Sequence, residues 1–209
     1  MKTFKEFLTQ VYESVEGEEV HHASVIPLVG YSPVSHLGHA IDMGSALAKL
    51  PGQKHVGMSN KADVYSPEER SEIMKRQWQI PGIQTHSTNS GGDTIGRAFH
   101  NLPKTGRKVL HLLVGHDRVG FAEGLKKSLE AGKIKEMNGH SWDEIHIHTP
   151  EDTDRSHGMS GTKMRTAVAN GDFDEFHRHL GPMFSKDEAK QHFNRIKAAL
   201  DSGQLKVKR

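Results

Sequence analysis

Short apolar runs alternate with helical patterns along most of the chain. Five runs have the length and composition of β-strands: residues 24–29, 55–59, 83–85, 109–114 and 144–148. Amphipathic spacing predicts helices over residues 40–50, 66–78, 94–102, 119–131 and about 185–200, with two more beginning near Ser160 and Asp172. Strands that alternate with helices predict an α/β domain with a parallel sheet of about five strands.

Two segments of this pattern carry local start and stop signals. Before the second of these helices, Ser66 suits the N-cap, Pro67 suits the first helical position, and Glu69 completes a capping box. Residues 87–93 are rich in Ser, Asn and Gly, which predicts a polar loop ahead of the helix at 94–102.

The N-terminal residues form a separate amphipathic pattern. Over residues 1–16 the apolar positions share one helical face, and Gly17-Glu18-Glu19 ends the pattern. Those positions are Phe4, Phe7, Leu8, Val11, Tyr12 and Val15. We therefore divide the chain into residues 1–20, an N-terminal helix, and residues 21–209, one domain whose C-terminal helices begin near residue 172.

Composition narrows the classes of function. The 209 residues fit one domain, and the net charge of +2, from 28 basic and 26 acidic residues, is not typical of a nucleic-acid-binding protein. The chain has no cysteine, which excludes disulfides, thiolate catalysis and cysteine–zinc sites. No apolar run has transmembrane length, and the N-terminus lacks the apolar core of a secretory signal, so we expect a cytoplasmic protein.

The turn after the first strand is the first candidate site. It spans residues 30–39, with Gly30 at its start and His36 and His39 on either side of Gly38. Gly38 allows close backbone approach to a ligand, and a helix N-terminus with two imidazoles favours an anion, so the turn suits a phosphate. Because the chain has 16 histidines, an ordinary βα turn with surface histidines is the alternative.

The second candidate site is the helix start at residues 160–165. Ser160 and Thr162 suit an N-cap, whereas Lys163 and Arg165 place two cations in the first helical turn. Cations there oppose the helix dipole, so their position needs a compensating partner. A bound polyphosphate would provide one.

Two further segments carry polar groups at strand ends. Gly115 and Asp117 follow the buried strand 109–114, where ligands of open parallel sheets bind; Asp117 either contacts substrate or caps the helix that follows. His146 and His148 alternate on one face of the fifth strand, but no third metal ligand is evident, so we predict no protein-held metal.

The two candidate sites resemble the HxGH and SxTxxR signatures of the nucleotidyltransferase family. His36-Leu37-Gly38-His39 matches the first and Ser160-Gly161-Thr162-Lys163-Met164-Arg165 the second, and the resemblance covers residues 24–180. It implies a Rossmann-like fold with strand order 3-2-1-4-5. One departure is that Tyr31 and Pro33 each lie one place earlier than the aromatic residue and the proline of the family.

The resemblance implies transfer of a nucleotidyl group, with pyrophosphate as the leaving group. The catalytic assignments are His36 and His39 to phosphate oxygens in the transition state and Lys163 and Arg165 to the β- and γ-phosphates. Nucleotide-binding roles are expected for Gly30, Gly38, Gly115, Asp117, Ser160 and Thr162. Mg²⁺ is expected with the nucleotide, held mainly by phosphates and water.

The choice of nucleotide depends on two arginines. Arg155 lies five residues before Ser160, one place further than in members that use CTP, whereas Arg165 resembles the adenylyl-transferring branch that makes NAD. ATP is therefore favoured, with nicotinamide mononucleotide as the leading acceptor and CTP as the alternative. Trp78 and Trp142 could stack on a base, although packing is the commoner role, and Arg70 resembles a family arginine or is a solvated charge.

Two stretches of the sequence suggest a second class of function. The N-terminus resembles the capsid-targeting leaders of T4-like phages, with Glu13 and Glu16 as candidate cleavage sites, and Gly171-Asp172-Phe173 resembles small phage nucleotidyltransferases. The alternative function is therefore a virion protein that contacts phage head proteins, packaged with or without catalysis. A homo-oligomer is compatible with either hypothesis.

Overall fold

The computed structural model describes residues 19–30, 34–61, 64–150 and 159–207. Residues 1–18 of the predicted N-terminal helix or leader lie outside these residues, as do Tyr31, Pro33 and Arg155, whereas Val20, assigned to that segment, begins the first strand. The hypotheses that depend on them therefore stay predictions.

The centre of the fold is a five-stranded parallel sheet with strand order β3-β2-β1-β4-β5. Its strands are β1 (Val20–Val29), β2 (Gln53–Ser59), β3 (Gln84–Thr88), β4 (Arg107–Leu113) and β5 (Glu144–His148). In the middle strand, Ala23 pairs with Gln53 on one side and with Leu110 on the other. The predicted Rossmann-like α/β fold and its strand order are confirmed.

Helices flank both faces of the sheet. The first, α1, is continuous through Leu37–His39, a π-helical turn at Ala40–Gly44, and Ser45–Lys49. The others are α2 (Pro67–Trp78), α3 (Gly91–His100), α4 (Val119–Glu130), α5 (Gly161–Ala169), α6 (Phe173–Leu180) and α7 (Lys186–Asp201). Short 3₁₀ turns lie at His116–Arg118 and Lys135–Met137. No described helix has both the length and the apolar character that a membrane span requires.

Alternate residues of the strands feed two separate cores. Val25 packs with helix α3 on one face, and Ile26 packs with α1 and α2 on the other. A third cluster joins α2 to the C-terminal helices through buried residues that include Met164, Phe176 and Phe193. The same cluster contains Val34, so it packs α5 beside the segment that leads into α1.

The capping box predicted at the start of α2 is confirmed. Ser66 Oγ accepts a hydrogen bond from the backbone N–H of Glu69 at 3.2 Å, and Glu69 Oε2 accepts one from the N–H of Ser66 at 2.8 Å. Local chemistry was sufficient here because each partner lies within one helical turn.

The predicted polar loop at residues 87–93 is wrong. Strand β3 continues to Thr88 and α3 already begins at Gly91, with Ser90 as an N-cap that accepts from the N–H of Asp93. A Cβ at Gly91 would lie 3.0 Å from the Pro27 side chain and 3.1 Å from that of Leu125. A Cβ at Gly92 would lie 3.2 Å from Ile134 Cγ2. Gly91 and Gly92 therefore reflect close packing of a helix start and not a flexible connection.

Arg70 is not a solvated charge. Only 2% of it is exposed, and its Nη2 donates to the carbonyls of Ser59 and Lys61 at 2.6 and 2.7 Å. The arginine thereby fixes the segment that follows β2. Trp78 and Trp142 are both buried in core clusters, as their packing interpretation predicts.

Candidate functional site

A cavity of about 920 Å³ opens at the carboxyl ends of β1 and β4. These two strands lie at the point where the strand order reverses, which is where open α/β sheets bind ligands. The starts of α1 and α5 supply much of its wall, together with the 3₁₀ turn after β4. Predicted site residues in its lining are Gly30, His36, Gly38, His39, Gly115, Asp117, Ser160, Thr162 and Arg165.

The two histidines of the first motif face the cavity together. His36 occupies the N-cap position of α1 with extended backbone, and His39 lies in the first helical turn. Their ring centroids are 4.3 Å apart, and the N–H of His39 donates to the carbonyl of His36 at 2.9 Å. One helical turn therefore presents both imidazoles to the same ligand.

Gly38 allows the two motifs to meet. A Cβ at this buried position would lie 3.1 Å from His36 Nδ1 and 3.1 Å from the Cβ of Met159. Met159 immediately precedes Ser160, so any larger residue at position 38 would push the start of α5 away from the histidines. The glycine between the histidines is thus explained by a contact between the motifs.

The site keeps both histidines neutral at pH 7. Burial, together with the smaller effects of the neighbouring His39 and His179, lowers the pKa of His36 to about 3. Burial also lowers the pKa of His39, the carboxylate of Asp117 opposes part of this effect, and the resulting pKa is about 4. Each ring therefore offers one N–H donor, and an arriving anion would favour the protonated form of both.

In the second motif, the hydroxyl groups of Ser160 and Thr162 accept hydrogen bonds from groups of the same helix. Ser160 Oγ caps α5 by accepting from the N–H of Lys163 at 3.1 Å, and Arg165 Nη2 donates to Thr162 Oγ1 at 3.1 Å. Arg165 is only 8% exposed and lines the cavity. Lys163 is exposed and is not among the lining residues, so the structure brings one of the two predicted cations to the site.

Asp117 lines the cavity from the 3₁₀ turn that follows β4. The N-cap position of α4 is Arg118, which makes no side-chain cap, so the interpretation of Asp117 as an N-cap is wrong. Its carboxylate lies over Gly115 instead: a Cβ at Gly115 would be 2.8 Å from Asp117 Oδ1. The glycine thus allows the carboxylate to fold back toward the strand end, beside the histidines.

The structure adds lining residues that carried no sequence signal of their own. Asp42 comes from the π-helical turn of α1, Arg118 from the 3₁₀ turn, Phe121 from α4, and Lys206 from the segment after α7. Phe121 is 43% exposed at the rim, where an aromatic ring can stack on a base. Their positions along the chain resemble ordinary helix or tail positions, and only the fold assembles them.

The described residues contain no group of three His, Asp or Glu side chains that could hold a metal. His148 belongs to a hydrogen-bonded row instead, in which His22 Nδ1 lies 3.0 Å from His111 Nε2 and His111 Nδ1 lies 2.9 Å from His148 Nε2. The ring of His146 stacks on His111, and its Nε2 lies 3.1 Å from Glu144 Oε2. In the cavity, the carboxylates of Asp42 and Asp117 could each add one ligand to a Mg²⁺ held mainly by phosphates and water.

Comparison of the chain with protein-family models and with curated protein sequences gave no match.

Proposed function

We propose that the protein is a nucleotidyltransferase that transfers AMP from ATP to a phosphorylated acceptor such as nicotinamide mononucleotide. The observation that supports this most is the convergence of His36, His39 and Arg165 in one cavity through the contact between Gly38 and Met159. Two histidines and a buried guanidinium on helix starts are suited to a polyphosphate.

In the proposed reaction, a phosphate oxygen of the acceptor attacks the α-phosphorus of ATP. The new P–O bond forms as the bond to the bridging oxygen breaks, and pyrophosphate leaves with the electron pair. No protein nucleophile is required, so catalysis consists of positioning and charge stabilisation. His36 and His39 donate to oxygens of the transferred phosphate, whereas Arg165 holds the β- and γ-phosphates.

The remaining lining residues fit the two substrates. The Asp117 carboxylate, close enough to His39 to affect its pKa, is suited to accept a hydrogen bond from a ribose hydroxyl, and Phe121 offers its exposed ring to a base or to nicotinamide. When bound with the triphosphate, Mg²⁺ would neutralise charge that develops on the leaving pyrophosphate. Among the described lining residues, the carboxylates that could contact such an ion are Asp42 and Asp117, so most of its ligands would come from substrate and water.

A screen of pyrophosphate release tests the proposal. Each of the four NTPs is combined with Mg²⁺ and a panel of phosphorylated acceptors, and each acceptor is paired with its dephosphorylated form as a control. We expect release with ATP and nicotinamide mononucleotide and none with nicotinamide riboside. Release with CTP alone would select the cytidylyl alternative, and no release with any pair would reject the proposal.

Replacing Arg165 by alanine should raise the KM for ATP by one to two orders of magnitude, with a smaller change in kcat. Its proposed partner is the triphosphate, which is present in both the ground state and the transition state. Arg165→Lys should restore only part of the affinity, because an ammonium cannot reproduce two parallel donors. Steady-state kinetics with varied ATP measures both changes.

Two other variants interpret the Arg165 result. Lys197→Ala removes an exposed cation paired with Asp201 on α7, and it should leave KM unchanged. Lys163→Ala tests the second predicted cation, and a loss equal to that of Arg165→Ala would assign the triphosphate to both side chains. Full activity of Arg165→Lys would contradict a guanidinium role.

A further inference from the structure

Gln77 connects three parts of the chain behind the candidate site. It lies in the last turn of α2 and is 6% exposed. Its Nε2 donates to the carbonyl of Ser35 at 3.3 Å and to the carbonyl of Leu180 at 2.7 Å. One amide group thereby joins the segment before α1 to the C-terminal end of α6.

The Ser35 bond bears directly on the position of His36. Ser35 precedes His36, so its carbonyl belongs to the peptide unit that sets the direction of the histidine. His36 makes no side-chain capping bond, and its Nδ1 has no hydrogen-bond partner within the described ranges. The position of this ring therefore depends on its packing against His39 and on its backbone, and Gln77 is a buried side chain that holds that backbone.

The neighbouring residue supports the same helix further along. A Cβ at Gly44, in the π-helical turn of α1, would lie 3.2 Å from the ring of Trp78. Gln77 thus bonds to Ser35, which precedes the N-cap of α1, and Trp78 packs against the π-helical turn of α1. The C-terminal turn of α2 sets both the start and the course of the helix that carries His39.

We propose that Gln77 is a positioning residue for His36, acting through the Ser35 carbonyl and the end of α6. This inference rests on the proposed function only in the role of His36, because the hydrogen bonds themselves are independent of any reaction. An amide is suited to the task, since its NH₂ group can donate to two carbonyls at once. A misplacement of about 1 Å at a catalytic group can cost on the order of 10² in rate.

The test compares Gln77→Met with Ser71→Ala. Methionine keeps the length of the side chain but removes both donors. Ser71 is also buried on the same helix, and its Oγ is 2.6 Å from Thr85 Oγ1, so Ser71→Ala removes a partly buried hydrogen bond outside the cavity lining. Gln77→Met should lower kcat for pyrophosphate release at least about tenfold with little change in the KM for ATP, whereas Ser71→Ala should change neither.

A second readout does not depend on activity. At pH 7, the ring ¹⁵N shifts of His36 and His39 should be recorded by NMR in the wild type and in both variants. Gln77→Met should shift the His36 signals, and Ser71→Ala should leave them in place. If the wild type releases no pyrophosphate, the proposed function fails while this comparison still tests the positioning role.

A third variant covers the case in which Gln77→Met does not fold. Gln77→Asn keeps an amide that is too short to reach both carbonyls, so it should give shifts and kcat between those of the wild type and those expected for methionine. Two results would overturn the inference. The first is unchanged His36 shifts in a folded Gln77 variant, and the second is a kcat for Gln77→Met no lower than that for Ser71→Ala.

Discussion

His39→Ala should lower kcat for pyrophosphate release by about 10²–10³, the usual loss when one donor to a developing charge is removed. The affinity for ATP should change far less, because the proposed partner of His39 is the phosphate that gains charge in the transition state. His39 lies 4.3 Å from His36 between ring centroids, and Asp117 partly offsets the effect of burial on its pKa. These contacts support our proposal that His39 acts on the transferred phosphate.

Single-turnover kinetics and ATP binding by calorimetry measure the two quantities separately. His39→Asn, which keeps one donor, should lose less than His39→Ala. His140→Ala removes an exposed ring that stacks on Phe99 far from the cavity, so its rate should equal that of the wild type. A folded His39→Ala protein with unchanged rate would contradict the assignment.

Acidification from pH 7 to pH 4 should destabilise the folded protein by several kcal/mol. Burial lowers the pKa of His55 and His111 to about 4, and that of His36 to about 3. The unfolded chain binds protons on these rings below about pH 6.5, whereas the folded protein does not, so stability falls as pH decreases through this window. One group lowered from 6.5 to 4 costs about 3 kcal/mol at pH 4.

Urea unfolding at pH 7, 6, 5 and 4.5 measures this dependence. His111→Gln should flatten it, because glutamine keeps a hydrogen-bonding group between His22 and His148 without titrating. His140→Gln serves as the matched control at an exposed ring and should leave the slope unchanged. A free energy of unfolding that is independent of pH over this range would show that the pKa values of these imidazoles are not lowered in the folded protein.

The sequence predicted the strands, the parallel sheet and most helices, because each depends on local periodicity. The Ser66 capping box was readable for the same reason, since its partners lie within one turn. Strand order 3-2-1-4-5 came from the family resemblance, and the structure confirms it. That order explains why turns after β1 and β4 share one cavity with the start of α5.

The sequence by itself determined which residues can cap, turn or bind a phosphate; the tertiary structure decided where they point and what they contact. Arg70 could be placed on a helix from sequence, but its burial depends on carbonyls that lie nine or more residues away. Gly91 lies in a stretch whose composition predicted a loop, yet it allows a helix to pack against Pro27. Lys163 and Arg165 are two residues apart on one helix, and only Arg165 lines the cavity.

Gln77 had no sequence signal, because its partners are 42 and 103 residues away. Contacts between residues so distant in sequence form only when the chain packs, and local periodicity carries no information about them.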